Sequence, residues 1–320
     1  MNARTVFRPA WYLRPTTVQC ILASSPWRTR KAGFVREAST EKMIAVAGGT
    51  RLMGKYLAGR GPRKGMVILI HGWEGGSESA YIQSAAAHLH SHGYSVFRLN
   101  LRDHGETHHL NEGLFFATLL NETHRAVQRA AAMAEGPVFL AGFSLGGNFA
   151  LRIGVKCAGD PIVNLRHIVA VSPVLDPDKA TTAVDAHFLF RRYFIQKWHR
   201  SLKRKQELYP RRYDFSHALS LSTIREMTDV LIPQYSDHAC TADYFRHYTL
   251  TGDALQGLAL PTTILTAADD PIIPVGDFRG LSLNGRTRLI VHSRGGHSGF
   301  IENLAFDGWH ERYMVERFMG

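Results

Sequence analysis

Cysteine is scarce in this chain of 320 residues: Cys20, Cys157 and Cys240 stand far apart, without a C-x-x-C pair. That spacing excludes a disulfide framework and a zinc ribbon, and it fits a reducing, cytoplasmic setting. None of the three lies in a nucleophile motif, so each is expected to be a small, partly buried thiol. Long apolar runs are missing too. Without about 18 consecutive apolar residues, no segment has the length to cross a bilayer as a helix.

Carboxylates are absent from two stretches. Residues 1–36 contain no Asp or Glu but carry Arg4, Arg8, Arg14, Arg28, Arg30, Lys31 and Arg36. This composition is similar to a mitochondrial presequence, yet Pro9, Pro15 and Pro26 interrupt any long amphipathic helix. No apolar core of about seven residues follows the basic start, which argues against a secretory signal. Residues 1–41 are therefore read as an arm packing on the core. Between Ala186 and Gln206 stand seven Lys and Arg and no carboxylate, while Phe190, Phe194, Trp198 and Leu202 recur every four residues. The apolar stripe is expected to dock on the core with its cations in water; a membrane-facing element is the alternative reading. The net charge of +11 carries no nucleic-acid-binding motif with it, so nucleic acid is not expected as a partner.

What is present is ordinary for a globular protein: 45% apolar and 20% charged residues, in a length that suits one domain. Met43–Ala47 and Arg51–Leu57, joined through Gly48 and Gly49, read as an antiparallel hairpin. Strands at Met66–Ile70, Tyr94–Leu99, Pro137–Ala141 and His167–Val171 alternate with helices at Ser79–His90, Leu114–Ala134 and Leu145–Val155. Two further strands, Thr262–Thr266 and Thr287–Val291, precede a closing helix over Phe300–Phe318. Such alternation predicts an α/β fold with a mostly parallel central sheet and helices on both faces. The helical, aromatic stretch of about 173–258 interrupts the alternation and is read as an inserted cap on a domain spanning 42–320.

Gly142-Phe143-Ser144-Leu145-Gly146 fits G-x-S-x-G, follows an apolar strand and opens a helix, the setting of a nucleophile elbow. A serine hydroxyl needs a base, and His297 stands between Gly295-Gly296 and Gly299 on the loop after the last strand. That imidazole must be neutral to accept a proton, so activity is expected to fall below about pH 6 to 7. An acid to orient it should follow the preceding strand. Asp270, held before Pro271, is the choice, with Asp269 as the alternative. Oxyanion donors are expected from the backbone N–H groups of Leu145 and of Trp73, the latter in the loop His71-Gly72-Trp73-Glu74-Gly75-Gly76. The dense Asp103-His104-Gly105-Glu106-Thr107-His108-His109 raises a metal site. Lying in a strand-to-helix loop, with no helix to fix two imidazoles on one face, it reads instead as a hydrogen-bonded loop near the site.

Together these motifs resemble the YheT-like branch of the α/β-hydrolase superfamily. The resemblance extends to Phe7-Arg8-Pro9-Ala10-Trp11-Tyr12-Leu13-Arg14, Asp103-His104-Gly105, Ser172-Pro173-Val174-Leu175-Asp176 and Gly295-Gly296-His297. It implies an α/β-hydrolase fold and hydrolysis of carboxylic esters, lipid esters among them, with no cofactor and no metal. It also implies that Ser144, Asp270 and His297 form the triad and that the arm belongs to the mature protein. Acyl transfer to an alcohol and a non-catalytic binding role on the same fold are the alternatives.

Overall fold

The computed structural model describes residues 6–60 and 64–319. The arm contributes α1 (Thr16–Ala23) and α2 (Gly33–Glu37) before the sheet begins. β1 (Thr40–Ala45) and β2 (Arg51–Leu57) form an antiparallel hairpin with Ile44 opposite Leu52. Its turn runs through Gly48 and Gly49 at φ 69° and 77°, a conformation open chiefly to residues without a Cβ. Next come β3 (Met66–Ile70), α3 (Ala80–Ser91), β4 (Ser95–Leu99), α4 (Leu120–Ala131), β5 (Val138–Phe143), α5 (Leu145–Lys156) and β6 (Leu165–Val171). A run of helices follows: α6 (Pro177–Ala186), α7 (Phe188–Leu208), α8 (Ser216–Ser220), α9 (Ile224–Tyr235) and α10 (Thr241–Arg246). β7 (Thr262–Ala267), α11 (Val275–Arg279), β8 (Thr287–His292) and α12 (Trp309–Phe318) complete the chain.

Among the described residues the strands make one eight-stranded sheet in the order β1-β2-β4-β3-β5-β6-β7-β8. β1 and β2 pair antiparallel, as do β2 and β4, and every later pairing is parallel. The period-2 alternation of a strand splits each buried run between two faces. Ile68, Ile70 and Leu140 join Val127, Phe149 and Ile153 of α4 and α5 on one face. Val67, Leu69 and Phe139 join Ile82, Leu89, Trp309 and Tyr313 of α3 and α12 on the other. All five residues of β3 are buried, so this run reads as continuous apolar sequence rather than alternation.

Two helices are shorter than the sequence pattern predicts. Residues 114–119 are not helical: the Phe115 N–H donates to Asp103 Oδ2 at 2.9 Å and the Ala117 N–H to the Tyr244 hydroxyl at 2.9 Å. Those tertiary partners outbid the intrahelical ladder and lay the segment along a cavity wall. The closing helix starts at Trp309 instead of Phe300, because Phe300 and Phe306 sit at φ 48° and 59° and Ile301 bridges back to Gly308. The strip Phe194, Trp198 and Leu202 of α7 faces the other inserted helices and the body, as the four-residue spacing predicts. α7 is anchored further by Lys205. Its buried ammonium donates to Asp103 Oδ1 at 2.8 Å and to the carbonyls of His108, Asn111 and Gly113.

Candidate active site

β5 ends in Phe143 and α5 starts at Leu145, which leaves Ser144 alone at the corner, with φ 53° and ψ −118°. The strain is held by a hydrogen bond from the Ser144 N–H to the Val171 carbonyl at 2.9 Å. The glycines on either side have a steric reason. A Cβ on Gly142 would lie 2.1 Å from the Gly146 carbonyl oxygen, and one on Gly146 would lie 2.3 Å from that of Ile70. Only chain without side chains turns this tightly against β3.

His297 comes to this corner from the loop after β8. Its Nε2 lies 2.9 Å from Ser144 Oγ, and its Nδ1 lies 2.9 Å from Asp270 Oδ2. A carboxylate only accepts, so Nδ1 carries the proton and Nε2 is left to accept from the serine hydroxyl. Asp270 Oδ1 is fixed in turn by the N–H groups of Ile272 and Ile273 at 2.9 and 3.0 Å. The Asp270 side chain is wholly buried and that of His297 is 12% exposed, so water competes little for these bonds. Asp269 points elsewhere: it accepts from the Gly296 N–H at 2.9 Å and from Thr16 Oγ1 at 2.8 Å.

The Thr16 contact belongs to a wider clasp that motif spacing gave no sign of. Helix α1 lies against the His297 loop. The buried Gln19 side chain donates to the carbonyls of Leu13 and Ile301 and accepts from the Ile301 N–H at 2.8 Å. The His297 N–H reaches Cys20 Sγ at 3.1 Å. Burial pushes the Cys20 thiol up to about 12, so that sulfur remains a neutral acceptor. Gln19→Leu leaves the polar backbone groups of Ile301 unpaired in the interior and loosens the loop. The expected result is a kcat on a soluble ester roughly ten- to a hundredfold lower at nearly constant KM. Faster deuterium uptake across 295–301 should accompany it; an unchanged kcat would count against the clasp.

The expected oxyanion donors flank the corner. The Leu145 N–H, at the first residue of α5, has no intrahelical acceptor. The loop after β3 passes so close that a Cβ on Gly72 would lie 3.1 Å from Ser144 Cβ. In that loop the Gly72 N–H is bound to the Tyr81 hydroxyl and the Glu74 N–H to His104 Nε2, while the Trp73 N–H has no acceptor among the described residues. The Trp73 ring stacks on Phe194 and meets Trp198 edge-on, fixing the loop against α7.

His71 and His104 are scaffold groups here. His71 bonds the Gly72 carbonyl and accepts from the Leu101 N–H, and His104 donates to the Arg102 carbonyl. Hydrogen bonds tie the Asp103–His109 segment to the inserted helices: Asp103 holds Lys205, and His108 Nε2 meets Ser201 Oγ at 2.8 Å. Among the described residues, His238, Asp243 and His247 bring ligand atoms within 4.8 Å of one another, but Arg246 already occupies the Asp243 carboxylate at 2.7 Å.

Burial holds His71, His108, His167 and His292 down to about 4 and His104 to about 3. These rings stay neutral in the fold and gain a proton on unfolding once the pH drops below their ordinary value of 6.5. The unfolded chain therefore binds more protons between about pH 6.5 and 4, and stability is lost as the pH falls through that window. Glu74 and Asp103, pushed up by burial to about 8 and about 6, act in the opposite sense, but they are two groups against five. Calorimetry is expected to give a Tm that declines steadily from about pH 6.5 to 4.5. A flat profile would contradict the neutral, buried histidines.

Ser144 sits where two cavities meet. One, of about 160 Å³, is mostly apolar and runs beneath the inserted helices past Ala180, Val184, Trp198, Leu231 and Phe245. The other, of about 430 Å³, also reaches His297 and lies between the arm residues Ser24, Pro26 and Thr29 and the α7 residues Tyr193 and Lys197. Glu74 lines the apolar cavity at φ 54°; nothing in its sequence context marks it for that position.

Comparison with known proteins agrees with this architecture. Residues 67–306 match the Alpha/beta hydrolase family. A protein of Synechocystis sp. named "Putative esterase slr0264" is 24% identical over 328 residues, covering 93% of this chain and 88% of that protein. The crystal structure of 2,6-dihydroxy-pseudo-oxynicotine hydrolase superposes with a TM-score of 0.57 at 17% identity, covering 88% of this chain and 67% of that one. Esterase Pf2001 of Pyrococcus furiosus does so with a TM-score of 0.53 at 15% identity, covering 88% and 92%. At such identities the structural likeness speaks to the fold alone.

Proposed function

We propose that this chain, which belongs to the alpha/beta hydrolase family, is a serine hydrolase that cleaves carboxylic esters through an acyl-enzyme. The observation that carries this reading is the unbroken hydrogen-bonded line from Ser144 Oγ through His297 to the buried Asp270. Ser144 attacks the ester carbonyl while His297 Nε2 takes its proton, and Asp270 steadies the imidazolium. Charge developing on the carbonyl oxygen meets the N–H groups of Trp73 and Leu145, each worth about 3 to 4 kcal/mol in the transition state. His297 then protonates the departing alcohol and activates water to release the acid.

The apolar cavity suits the acyl chain, and the more polar one, bounded by the arm, suits the alcohol. In this reading residues 42–320 form the catalytic domain, about 173–258 cap it, and residues 1–41 brace it. The sequence motifs that carry the resemblance support placement in the YheT-like branch. A fluorophosphonate probe tests the reading directly: the wild type should be labelled at Ser144, and a folded, unlabelled protein would remove the claim. Filling the apolar cavity tests the acyl assignment. Ala180→Trp is expected to lower kcat/KM for long-chain esters by more than about tenfold while sparing short ones. An equal loss across an acyl-length series would move the acyl group elsewhere.

A further inference from the structure

The two carboxylate-free stretches flank the same opening. Helix α7 turns Phe190, Phe194, Trp198 and Leu202 inward, and its opposite face carries Phe188, Leu189, Arg192, Tyr193, Gln196, Arg200, Lys203 and Arg204, with Glu207 as its one carboxylate in the last turn, all exposed. Phe188 is 62% exposed and Leu189 55%, so large apolar groups stand out in water at one end of a cationic helix. A merely solvated helix face mixes both signs of charge and lacks such groups. Here Arg192, Arg200 and Lys203 have no carboxylate in ion-pair range among the described residues, and Arg204 meets only Glu207 at 3.5 Å. Across the larger cavity lies the arm, where Trp27 is 56% exposed beside the cavity-lining Pro26.

We propose that the outward face of α7, together with this edge of the arm, docks on an anionic phospholipid bilayer. Phe188, Leu189 and Trp27 enter the headgroup region, and the arginines and lysine meet lipid phosphates. Charge complementarity and the apolar end together select this occupant. A nucleic acid or an acidic protein would be served by the cations alone, whereas a basic helix face with protruding Phe and Leu matches an interfacial helix lying in the bilayer plane. The 21 residues of α7 extend about 31 Å, long enough to lie along the surface as one contact. Docked this way, the cavity between the arm and Tyr193, which leads to Ser144, opens beside the lipid. Esters could then enter from the membrane without crossing bulk water. The docking itself does not depend on the reaction proposed for Ser144.

Vesicle co-sedimentation tests it, with phosphatidylcholine alone and phosphatidylcholine mixed with phosphatidylserine. The full chain is expected to bind the mixed vesicles, to release them as salt rises, and to leave the neutral ones unbound. The pair Phe188→Ser and Leu189→Ser should weaken binding by roughly tenfold or more. The triple change Arg192→Gln, Arg200→Gln and Lys203→Gln should weaken it by roughly a hundredfold. All these side chains are exposed, and circular dichroism with hydrolysis of a short soluble ester checks that the variants fold. Ser144→Ala must bind as the wild type does, which separates this proposal from the catalytic one. No binding to mixed vesicles would overturn it. So would binding that is indifferent to the Phe188 and Leu189 changes and is displaced by polyglutamate, the mark of an acidic-polymer site.

Discussion

Alanine at position 144 is expected to lower kcat on any ester substrate by about 10⁶-fold, with KM and the unfolding midpoint almost unchanged. The fold should survive because alanine bears the same Cβ as serine at the strained corner, where φ is 53°, and the backbone bond to Val171 is untouched. Only Oγ is removed, and with it the atom that His297 Nε2 faces at 2.9 Å. The backbone N–H groups proposed as oxyanion donors, those of Trp73 and Leu145, stay, so a residual rate of roughly 10³ to 10⁴ over water should remain. Steady-state kinetics with a fluorogenic ester, alongside calorimetry of both proteins, gives the comparison. A loss smaller than about tenfold would mean that Ser144 is not the nucleophile.

Asp270→Asn should cost about 10⁴-fold in kcat, and Asp269→Asn far less. An asparagine at 270 keeps an oxygen for the Ile272 and Ile273 N–H groups, so the local turn is retained. Its amide nitrogen, however, donates where the carboxylate accepted. The ring then turns its lone pair toward residue 270 and its N–H toward Ser144, the tautomer that cannot take the serine proton. At 269 the roles differ, because an asparagine oxygen still accepts from the Gly296 N–H or from Thr16. Its effect should stay within about tenfold and follow from a looser His297 loop. Equal losses in the two variants would reject the assignment of the orienting acid to Asp270 over its neighbour.

Much of this arrangement can be read from local sequence because the signals are local. β2 and β3 follow their apolar pattern to the residue, since Gly48-Gly49 and buried β-branched runs leave few other options. The corner at Ser144 needs Gly142 because a Cβ there would meet the Gly146 carbonyl four residues on. Ser144, Asp270 and His297 could be chosen from strand order together with the G-x-S-x-G motif, Pro271 and the glycines around His297, and they meet in space. The misreadings arise where distant partners decide. The Phe115 and Ala117 N–H groups go to Asp103 and Tyr244, which no window around residue 115 contains. Glu74 in the cavity wall is held through its backbone by His104 and Lys197, and Gln19 beneath the His297 loop by a contact across 282 residues.

That last separation has a consequence during synthesis. Chains fold as they emerge, amino end first. Cys20 and Gln19 leave the ribosome 277 and 282 residues ahead of their partners His297 and Ile301. The sheet can assemble from β1 to β6 while the His297 loop has nothing to hold it and the arm nothing to grip. On the proposed function, a nascent chain that lacks this loop would be chemically silent. Competence, on that reading, arrives only when the arm and the His297 loop close on each other.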